Sequence, residues 1–467
     1  MRTPTLAVLA AVLVTASPPS AVRGQSRGPH QALAREVFEE LIEINTTDSV
    51  GDNTKAAEAM AARLKAAGFP DSDVRVLGPA ERKGNLVARL RGTGARRPIL
   101  LLAHLDVVEA RKEDWSVDPF TFLEKDGYYY GRGTSDDKAM AAIWIANLLR
   151  YKQEGFKPDR DLIVALTADE EGGDFNGVQW LVANHRELID AEYALNEGGG
   201  GSIKEGKYIA NRVQASEKVY QDFTLEVKNP GGHSSLPVKD NAIYRLAAGL
   251  ARLAAFDFPV KLNDVTRALF DRMAPTQPGP LGEAMRAILK SPRPPGAVEI
   301  VARVPYLNAM MRTTCVATML EGGHALNALP QRARANVNCR MLPGDTTDAV
   351  RATLVEVLAD EAITVTPVAP AKPSSPSPLN PEVMRPIERI TEQMWPGVPV
   401  TPVMGTGATD GLYLRRAGIP TYGVDGIFEN IDDTRAHGKD ERIGIKPFYD
   451  GQEFLYRLVK ELASSAP

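Results

Sequence analysis

The chain has 467 residues, of which 43% are hydrophobic and 24% are charged, and its formal net charge is −4. A chain of this length exceeds the usual size of one hydrophobic core, so two domains are expected. The slight acidic excess argues against nucleic acid or an anionic membrane as a partner, because both require a basic surface.

The first residues have the pattern of a secretory signal peptide. Arg2 precedes an apolar run over 6–16, and small residues then lead to Arg23 and Gly24. The run is shorter than the roughly 20 apolar residues that a membrane span needs. We therefore interpret residues 1–24 as a signal peptide and expect an exported protein, periplasmic or secreted, without a stable membrane anchor. An apolar helix that packs on the first domain is the alternative.

Strand-like and helix-like segments alternate in the first half of the chain. The patterns predict helices within 32–70 and over 139–151 and 178–184, and strands over 86–90, 99–103 and 162–166. Uninterrupted apolar runs are typical of strands that are buried on both faces of a sheet covered by helices. This alternation predicts an α/β domain with a layered, mixed sheet.

The pattern changes near residue 214. A strand-helix-strand-strand-helix-strand order follows, which is typical of a small α+β (ferredoxin-like) domain. A segment rich in Pro and Ser then leads back to an α/β pattern. We therefore predict a catalytic domain in two parts, 32–213 and 366–467, with a lid domain inserted at 214–365. Within the lid, the insertion over 257–310 follows no pattern that predicts its role.

The two cysteines, Cys315 and Cys339, lie symmetrically about Asn327. If the flanking segments form a hairpin, the thiols face each other across it. A disulfide and two reduced thiols both remain open at this point.

Four acidic or histidine-containing motifs follow strand-like runs, where α/β sheets place their sites. They are HLD at 104–106, GRGTSDDK at 131–138, DEEGG at 169–173 and NEGG at 196–199. Residues two apart on an extended segment point to the same side, so Asp106 can accept a hydrogen bond from the second ring nitrogen of a metal-bound His104. Glu170 and Glu171 together suit one general base beside one metal ligand.

Taken in order with RAHGKDE at 435–441, these motifs resemble the dizinc metallopeptidase and deacylase family of acetylornithine deacetylase, succinyl-diaminopimelate desuccinylase, aminoacylases and carboxypeptidase S. The resemblance covers nearly all of residues 32–467, and it is strongest to the carboxypeptidase S and aminoacylase branch. It implies a zinc-peptidase catalytic domain with an inserted lid or dimerisation domain.

The resemblance also implies a role for each motif residue. Two Zn²⁺ ions per subunit are expected, with Co²⁺ or Mn²⁺ as substitutes. Asp136 would bridge the ions, His104 and Glu197 would complete one site, and Glu171 and His437 the other. Glu170 would be the general base that takes a proton from the bridging water, and Asp106 would orient His104.

Three further motifs match the family's substrate-binding pattern. His233 in PGGHSS (230–235) would polarise the scissile carbonyl, and in dimeric relatives this histidine comes from the partner subunit, so a homodimer through the lid is one expectation. Asn327 in NALP (327–330) and Arg340 belong to the same pattern, with Arg340 holding the substrate carboxylate through its bidentate fork. Gly405, Thr406 and Gly407 in GTGATD (405–410) would bind the same end of the substrate.

These roles predict zinc-dependent hydrolysis of an amide bond next to a free carboxylate in small peptides, as in a dipeptidase or carboxypeptidase. An N-acyl-amino-acid deacylase is the main alternative. A non-catalytic relative that binds peptides is disfavoured, because Glu170 and every expected ligand are present. A serine hydrolase would need a GxSxG motif, which the sequence lacks.

Overall fold

The computed structural model describes residues 28–464, so the predicted signal peptide at 1–24 lies outside the described residues. Within 28–464, no helix is both long enough and apolar enough to cross a membrane.

The strands of the described chain are β1 (Val74–Leu77), β2 (Asn85–Leu90), β3 (Ile99–His104), β4 (Leu123–Lys125), β5 (Tyr128–Tyr130), β6 (Leu162–Thr167), β7 (Tyr193–Asn196), β8 (Gly200–Lys204), β9 (Lys207–Glu217), β10 (Val219–Lys228), β11 (Gly232–His233), β12 (Thr314–Gly322), β13 (Ala328–Leu329), β14 (Arg332–Met341), β15 (Ile363–Pro367), β16 (Val400–Gly405), β17 (Thr421–Gly423), β18 (Phe428–Asn430) and β19 (Arg442–Gly444).

The α-helices are α1 (Pro29–Glu43), α2 (Asn53–Ala66), α3 (Lys138–Gln153), α4 (Gly177–Asn184), α5 (Arg186–Ile189), α6 (Ala242–Ala254), α7 (Asp264–Met273), α8 (Pro280–Ala287), α9 (Pro295–Ala302), α10 (Pro305–Met311), α11 (Thr347–Leu358), α12 (Pro381–Met394), α13 (Gly411–Arg416) and α14 (Ile445–Leu462).

A 10-stranded sheet organises the larger part of the chain, in the order β1-β2-β6-β3-β7-β17-β9-β8-β18, with β16 paired to β9. Strands β6, β3, β7 and β17 are parallel to one another, whereas β2 pairs with β6 in the antiparallel sense. The predicted mixed sheet is therefore confirmed. Because the parallel strands end at the same edge, the loops that follow them meet there.

Helices cover both faces of this sheet, which explains the uninterrupted apolar runs. On β3, Leu101 and Ala103 pack into a core that includes residues of α1, α3 and α14. Leu100 and Leu102 face the opposite core, which includes residues of α4 and α13. Full burial of one such leucine contributes about 1.5–3 kcal/mol. The predicted strands at 99–103 and 162–166 are confirmed as β3 and β6.

Helix α3 is buried on nearly all sides, and two side-chain contacts fix its position. Trp144 Nε1 donates to the Leu102 carbonyl of β3 at 3.0 Å. At the start of the helix, Lys138 Nζ donates to the Leu41 and Ile44 carbonyls at 2.9 and 2.8 Å, and so satisfies the carboxyl end of α1. Burial lowers the pKa of Lys138 to about 7. These contacts set the place of the two aspartates that precede α3.

A second, 4-stranded sheet forms between residues 219 and 367, in the order β12-β14-β10-β15 with all neighbours antiparallel. Helices α6 and α11 pack on one face of it, so burial alternates strictly along β14. This is the ferredoxin-like order that the sequence predicts. Strand β9 of the large sheet runs on to Glu217, so the change from one sheet to the other falls at Lys218. The domain limits themselves stay a prediction.

Cys315 and Cys339 lie directly opposite each other in the β12–β14 register and form a disulfide. The hairpin interpretation is therefore confirmed, and of the two alternatives the disulfide is the one that the structure contains.

The insertion over 257–310 folds into α7 to α9 and the start of α10, with a hydrophobic core of its own. That core includes Phe270, Met285 and Met310, and it extends to Val403 and Met404 of β16. The insertion therefore packs on the strand that leads into the GTGATD loop. The sequence patterns did not predict this contact.

Candidate metal centre

The acidic and histidine residues of the motifs meet at the carboxyl edge of the large sheet. His104 ends β3, Glu170 and Glu171 follow β6, and Glu197 follows β7. The ligand atoms of His104, Asp136 and Glu171 all lie within 4.8 Å of one another. The same holds for those of His104, Asp137 and Glu197. The parallel strands thus bring together side chains that are far apart in sequence.

Asp136 lies between the two histidines. Its Oδ1 is 2.9 Å from His104 Nε2, and its Oδ2 is 3.1 Å from His437 Nε2. Glu171 Oε1 is 2.8 Å from the same His437 nitrogen. One carboxylate oxygen of Asp136 therefore faces each histidine, which is the disposition that a bridging ligand requires.

His437 reaches this position from a surface loop and has a left-handed backbone conformation, with φ of 62°. Residues other than glycine adopt this region rarely, and such conformations are concentrated at functional sites.

Buried oxygen atoms in this cluster lack partners. Asp137 Oδ2 accepts no hydrogen bond, and the one polar contact of Glu171 Oε1 among the described residues is its 2.8 Å ion pair with His437. Unpartnered buried carboxylate oxygens are costly unless a cation neutralises them. Imidazole and carboxylate donors together are a ligand set that suits zinc, so the residues present fit a metal centre.

The charges at this edge support the same conclusion. Burial, reinforced by neighbouring acids, raises the pKa of Asp137, Glu170 and Glu197 well above the usual range and that of Glu171 to about 7. For Asp136, hydrogen bonds from the two histidines outweigh burial and hold its pKa well below the usual range. The cluster therefore holds more carboxylates than the two imidazoles can balance.

Asp106 contacts His104 differently from the prediction. His104 Nδ1 is 2.9 Å from the Asp106 carbonyl oxygen, while the nearest carboxylate oxygen is 3.7 Å away. The Asp106 carboxylate instead accepts hydrogen bonds from the backbone amides of Glu170 and Glu171, at 3.1 and 2.9 Å. The prediction that the Asp106 carboxylate accepts a hydrogen bond from His104 is wrong, because the carboxylate is turned toward these two amides. Asp106 still directs His104 Nε2 toward Asp136, through its carbonyl.

Glu441, the last residue of the RAHGKDE motif, holds the loop that carries Asp136. One oxygen accepts from the backbone amides of Ser135 and Asp136 at 2.7 and 3.2 Å, and the other pairs with Arg132 Nη1 at 2.6 Å. All of these contacts are buried or nearly so. Glu441 belongs to the RAHGKDE motif, but no sequence pattern predicts this role, because its partners lie 305 to 309 positions away in the chain.

The two lid motifs pair with each other. Gly232 and His233 of β11 lie opposite Leu329 and Ala328 of β13, and the Ser234 amide donates to the Asn327 carbonyl at 3.0 Å. The His233 ring is exposed, and its Nδ1 is 2.7 Å from Ser235 Oγ. Among residues 28–464, no hydrogen bond or ion pair joins His233 to the cluster around Asp136.

Arg340 lies against the GTGATD loop, with its Nη1 donating to the Thr406 carbonyl at 3.4 Å. Farther along the loop, Thr409 donates its amide and hydroxyl to Glu217, which forms a buried ion pair with Arg415 at 2.6 Å. The structure therefore brings two of the predicted substrate-binding elements together.

Gln214 links this loop to the NEGG loop. A Cβ atom at Gly405 would lie 2.7 Å from Gln214 Oε1, and one at Gly198 would lie 2.5 Å from the same atom. A larger residue at either position would require the Gln214 side chain to move. Both loops therefore lie against the same side chain.

A sequence model of the family described as "Peptidase family M20/M25/M40" matches residues 100–461. The chain belongs to this family. It is accordingly a hydrolytic metallopeptidase by family membership.

Curated relatives of this M20 chain include two kinds of enzyme. It is 30% identical over 379 residues to the N-fatty-acyl-amino acid synthase/hydrolase PM20D1 of Homo sapiens, covering 78% of this chain and 74% of the relative. It is 28% identical over 260 residues to carboxypeptidase S of Saccharomyces cerevisiae, covering 52% of this chain and 45% of that relative.

Solved structures of the M20 family have the same fold. The metallo-carboxypeptidase Sso-CP2 of Sulfolobus solfataricus superimposes with a TM-score of 0.67 at 17% identity, over 92% of this chain and 99% of that one. A dinuclear metal-binding peptidase of Bacillus subtilis gives a TM-score of 0.58 at 11% identity, over 93% and 98% of the two chains.

Replacing Glu441 tests whether it positions Asp136 for metal binding. We expect Glu441→Gln to weaken zinc binding by about 10–100-fold, as is typical when a partner of a metal ligand is lost. Competition with a chromogenic chelator measures the affinity, and circular dichroism checks the fold. Glu187→Gln, at an exposed glutamate of α5, is the matched control. Unchanged zinc affinity in a folded Glu441→Gln variant would contradict this role.

Proposed function

We propose that this M20 enzyme hydrolyses an amide bond next to a free carboxylate, with two zinc ions bound around Asp136. The observation that carries the proposal is the cluster in which Asp136 lies between His104 and His437, with Glu171 against His437 and Glu170 beside it. The roles of the individual residues below are part of the same proposal.

Bound metal ions and the protein would contribute different parts of the reaction. Zinc ions bound here would polarise the scissile carbonyl and lower the pKa of a water molecule. Glu170 accepts the proton of the attacking water and delivers it to the leaving nitrogen. Burial raises the pKa of Glu170 well above its usual range, which suits a group that must both take and give a proton near neutral pH.

The surroundings of Glu170 favour this role over that of a ligand. Its backbone amide is held by the Asp106 carboxylate at 3.1 Å, which fixes the turn after β6. Within the described chain its own carboxylate makes no hydrogen bond. Its oxygens therefore remain available to a water molecule or to the leaving amine.

Arg340 and the Thr406 loop would hold the substrate's carboxylate end. A guanidinium presents paired N–H donors that match a carboxylate. The contact between Arg340 and the Thr406 carbonyl supports a shared binding surface. An amide or ester in place of the carboxylate would lose the charge-assisted pair, so a substrate with a free carboxylate is preferred.

The scissile acyl group is either an aminoacyl residue, as in a peptide, or a simple acyl chain. The curated relatives support both, but the match to the N-fatty-acyl-amino acid synthase/hydrolase covers 74% of that relative, against 45% for carboxypeptidase S. This favours keeping N-acyl-amino-acid hydrolysis as a second candidate function. Either substrate class ends in the same carboxylate.

A substrate panel separates these activities and tests the general base. We expect the zinc-loaded enzyme to cleave dipeptides or N-acyl amino acids much faster than their C-terminal amides, and to stop when a chelator is added. Glu170→Gln should lower kcat by about 10²–10⁴-fold, because proton transfer is lost, with zinc content unchanged. Glu187→Gln is again the control. Residual activity above a tenth of wild type in Glu170→Gln would rule out the assigned role.

We also propose that the chain forms a homodimer through the lid. Strand β12 is an edge strand, and Val316, Met319 and Leu320 on it are each at least 60% exposed. Exposed apolar edges invite pairing with another strand, and a two-fold axis pairs a strand with its own copy. The exposed His233, which does not reach the cluster of its own subunit, supports a role in the partner's site.

The dimer predicts a coupled loss of association and activity. Replacing Met319 and Leu320 by aspartate should give a folded monomer by sedimentation velocity, with kcat reduced at least about tenfold because one donor to the carbonyl is missing. Val50→Asp, at an apolar side chain outside the lid that is 73% exposed, is the matched control. A fully active wild-type monomer at micromolar concentration would refute the proposal.

Export remains part of the proposal. The pattern over 1–24 and the Cys315–Cys339 disulfide both support an oxidising, extracytoplasmic location. Amino-terminal sequencing of the protein from its host should begin past residue 20, and an intact Met1 would contradict export.

A further inference from the structure

The open face of the lid sheet carries a row of polar side chains that ends at Arg340. On β14, Arg340 lies directly between Tyr220 of β10 and Thr314 of β12. The next residue along β10 on the same face is Asp222, which lies opposite Asn338. This face is the one away from α6 and α11, so its side chains stay accessible.

Tyr220 and Arg340 form a cation–π pair. The guanidinium carbon lies 4.6 Å from the centre of the Tyr220 ring, within the range of a cation–π interaction. Tyr220 is 48% exposed, so its ring is not there to fill a core. The ring therefore offers the guanidinium a neighbour that uses none of its N–H donors.

Asp222 fixes the ring from the other end. The Tyr220 hydroxyl donates to Asp222 Oδ2, and Asn336 and Asn338 donate to Asp222 Oδ1 at 3.0 and 2.9 Å. Although partial burial raises it, the pKa of Asp222 is lowered by these hydrogen bonds and by the charge of Arg340. Asp222 is therefore ionised near neutral pH.

The donors of Arg340 remain free despite this charged neighbour. Within residues 28–464, no ion pair joins Arg340 to Asp222 or to another acid, and its one hydrogen bond is the 3.4 Å contact with the Thr406 carbonyl. A guanidinium that a neighbouring ring holds in place, with donors left beyond the one that contacts Thr406, is prepared for a planar anion.

We infer that Tyr220 and Asp222 are positioning residues that hold the Arg340 fork toward the Thr406 loop for the substrate's carboxylate. This inference rests on the proposed function, which assigns the carboxylate to Arg340. Holding the side chain before binding removes part of the ordering cost that a mobile arginine would incur on binding. The benefit appears in the binding of substrates with a free carboxylate and not in the chemical step.

The test compares a substrate that carries the carboxylate with its C-terminal amide, assayed at high enzyme concentration. Tyr220→Leu removes the cation–π contact with Arg340, and Tyr220→Phe keeps the ring without its hydroxyl. Asp222→Asn removes the negative charge of Asp222. Arg340→Met is the reference for complete loss, and Thr224→Val, two residues beyond Asp222 on the same strand, is the control. Circular dichroism and zinc content confirm that each variant is folded and loaded.

We expect Tyr220→Leu and Asp222→Asn to raise KM for the free acid by about 3–10-fold, with kcat within twofold and the amide unaffected. Tyr220→Phe keeps the ring but loses the hydrogen bond to Asp222, so its KM should lie between those of wild type and Tyr220→Leu. Combined with Arg340→Met, Tyr220→Leu should have no further effect, since the two residues act on one interaction. Thr224→Val should behave as wild type.

Two results would overturn the inference. An equal rise in KM for acid and amide would mean that the pair only stabilises the sheet, and an unchanged KM would mean that the pair has no role. If Arg340→Met removes the preference for the free acid while the Tyr220 and Asp222 variants keep it, only this inference fails. If Arg340→Met itself keeps the preference, the carboxylate assignment of the proposed function fails, and the inference fails with it.

Discussion

Many carboxylates are buried close together at one edge of the large sheet, and the residues around them must compensate their charges. Each buried charge without a partner costs several kcal/mol. Some of the acids are satisfied by the protein itself. Lys83 pairs with Asp169 at 2.6 Å, Asp106 accepts two backbone amides, and Arg132 pairs with Glu441.

The acids closest to Asp136 are not satisfied in this way. Asp137, Glu171 and Glu197 have raised pKa values, and buried oxygens of Asp137 and Glu171 lack hydrogen-bond partners. Without a cation, the raised pKa values mean that protonation neutralises these carboxyls, whereas a bound cation would let them stay ionised. The electrostatics of the cluster therefore suit a metal centre, in agreement with family membership. The surrounding pairs then act as a frame that keeps the ligands in place.

A short stretch of chain connects this centre to the lid. Glu217 at the end of β9 holds Thr409 and Arg415, and the next amide, that of Lys218, donates to the Gly405 carbonyl at 2.9 Å. Lys218 Nζ donates to the Arg312 carbonyl at 2.8 Å, between α10 and β12. Strand β10 begins at the residue after Lys218. These contacts, together with the packing of the insertion on β16, fix the lid sheet that carries Arg340 relative to the GTGATD loop.

Much of the fold could be predicted from periodicity. The apolar runs of β3 and β6 are readable because helices cover both faces, and the alternation along β14 because they cover one face only. The motifs that follow apolar runs are expected at one edge of the sheet, since parallel strands end there, and the family resemblance supplies the roles of their residues. The role of Glu441 and the carbonyl contact of Asp106 depend on distances between distant loops, which no local pattern contains.

The packing of the insertion illustrates the same limit. Helices α7 to α10 have apolar faces, but their sequences do not indicate that β16 of the large sheet completes their core.

Anomalous diffraction at the zinc edge, from crystals of the zinc-loaded enzyme, can show whether Asp136 bridges two metal ions. We expect two peaks, each about 2.0–2.2 Å from a different oxygen of Asp136, one completed by His104 and Glu197 and the other by Glu171 and His437. A single peak, or two peaks in which Asp137 takes the place of Asp136, would contradict this expectation.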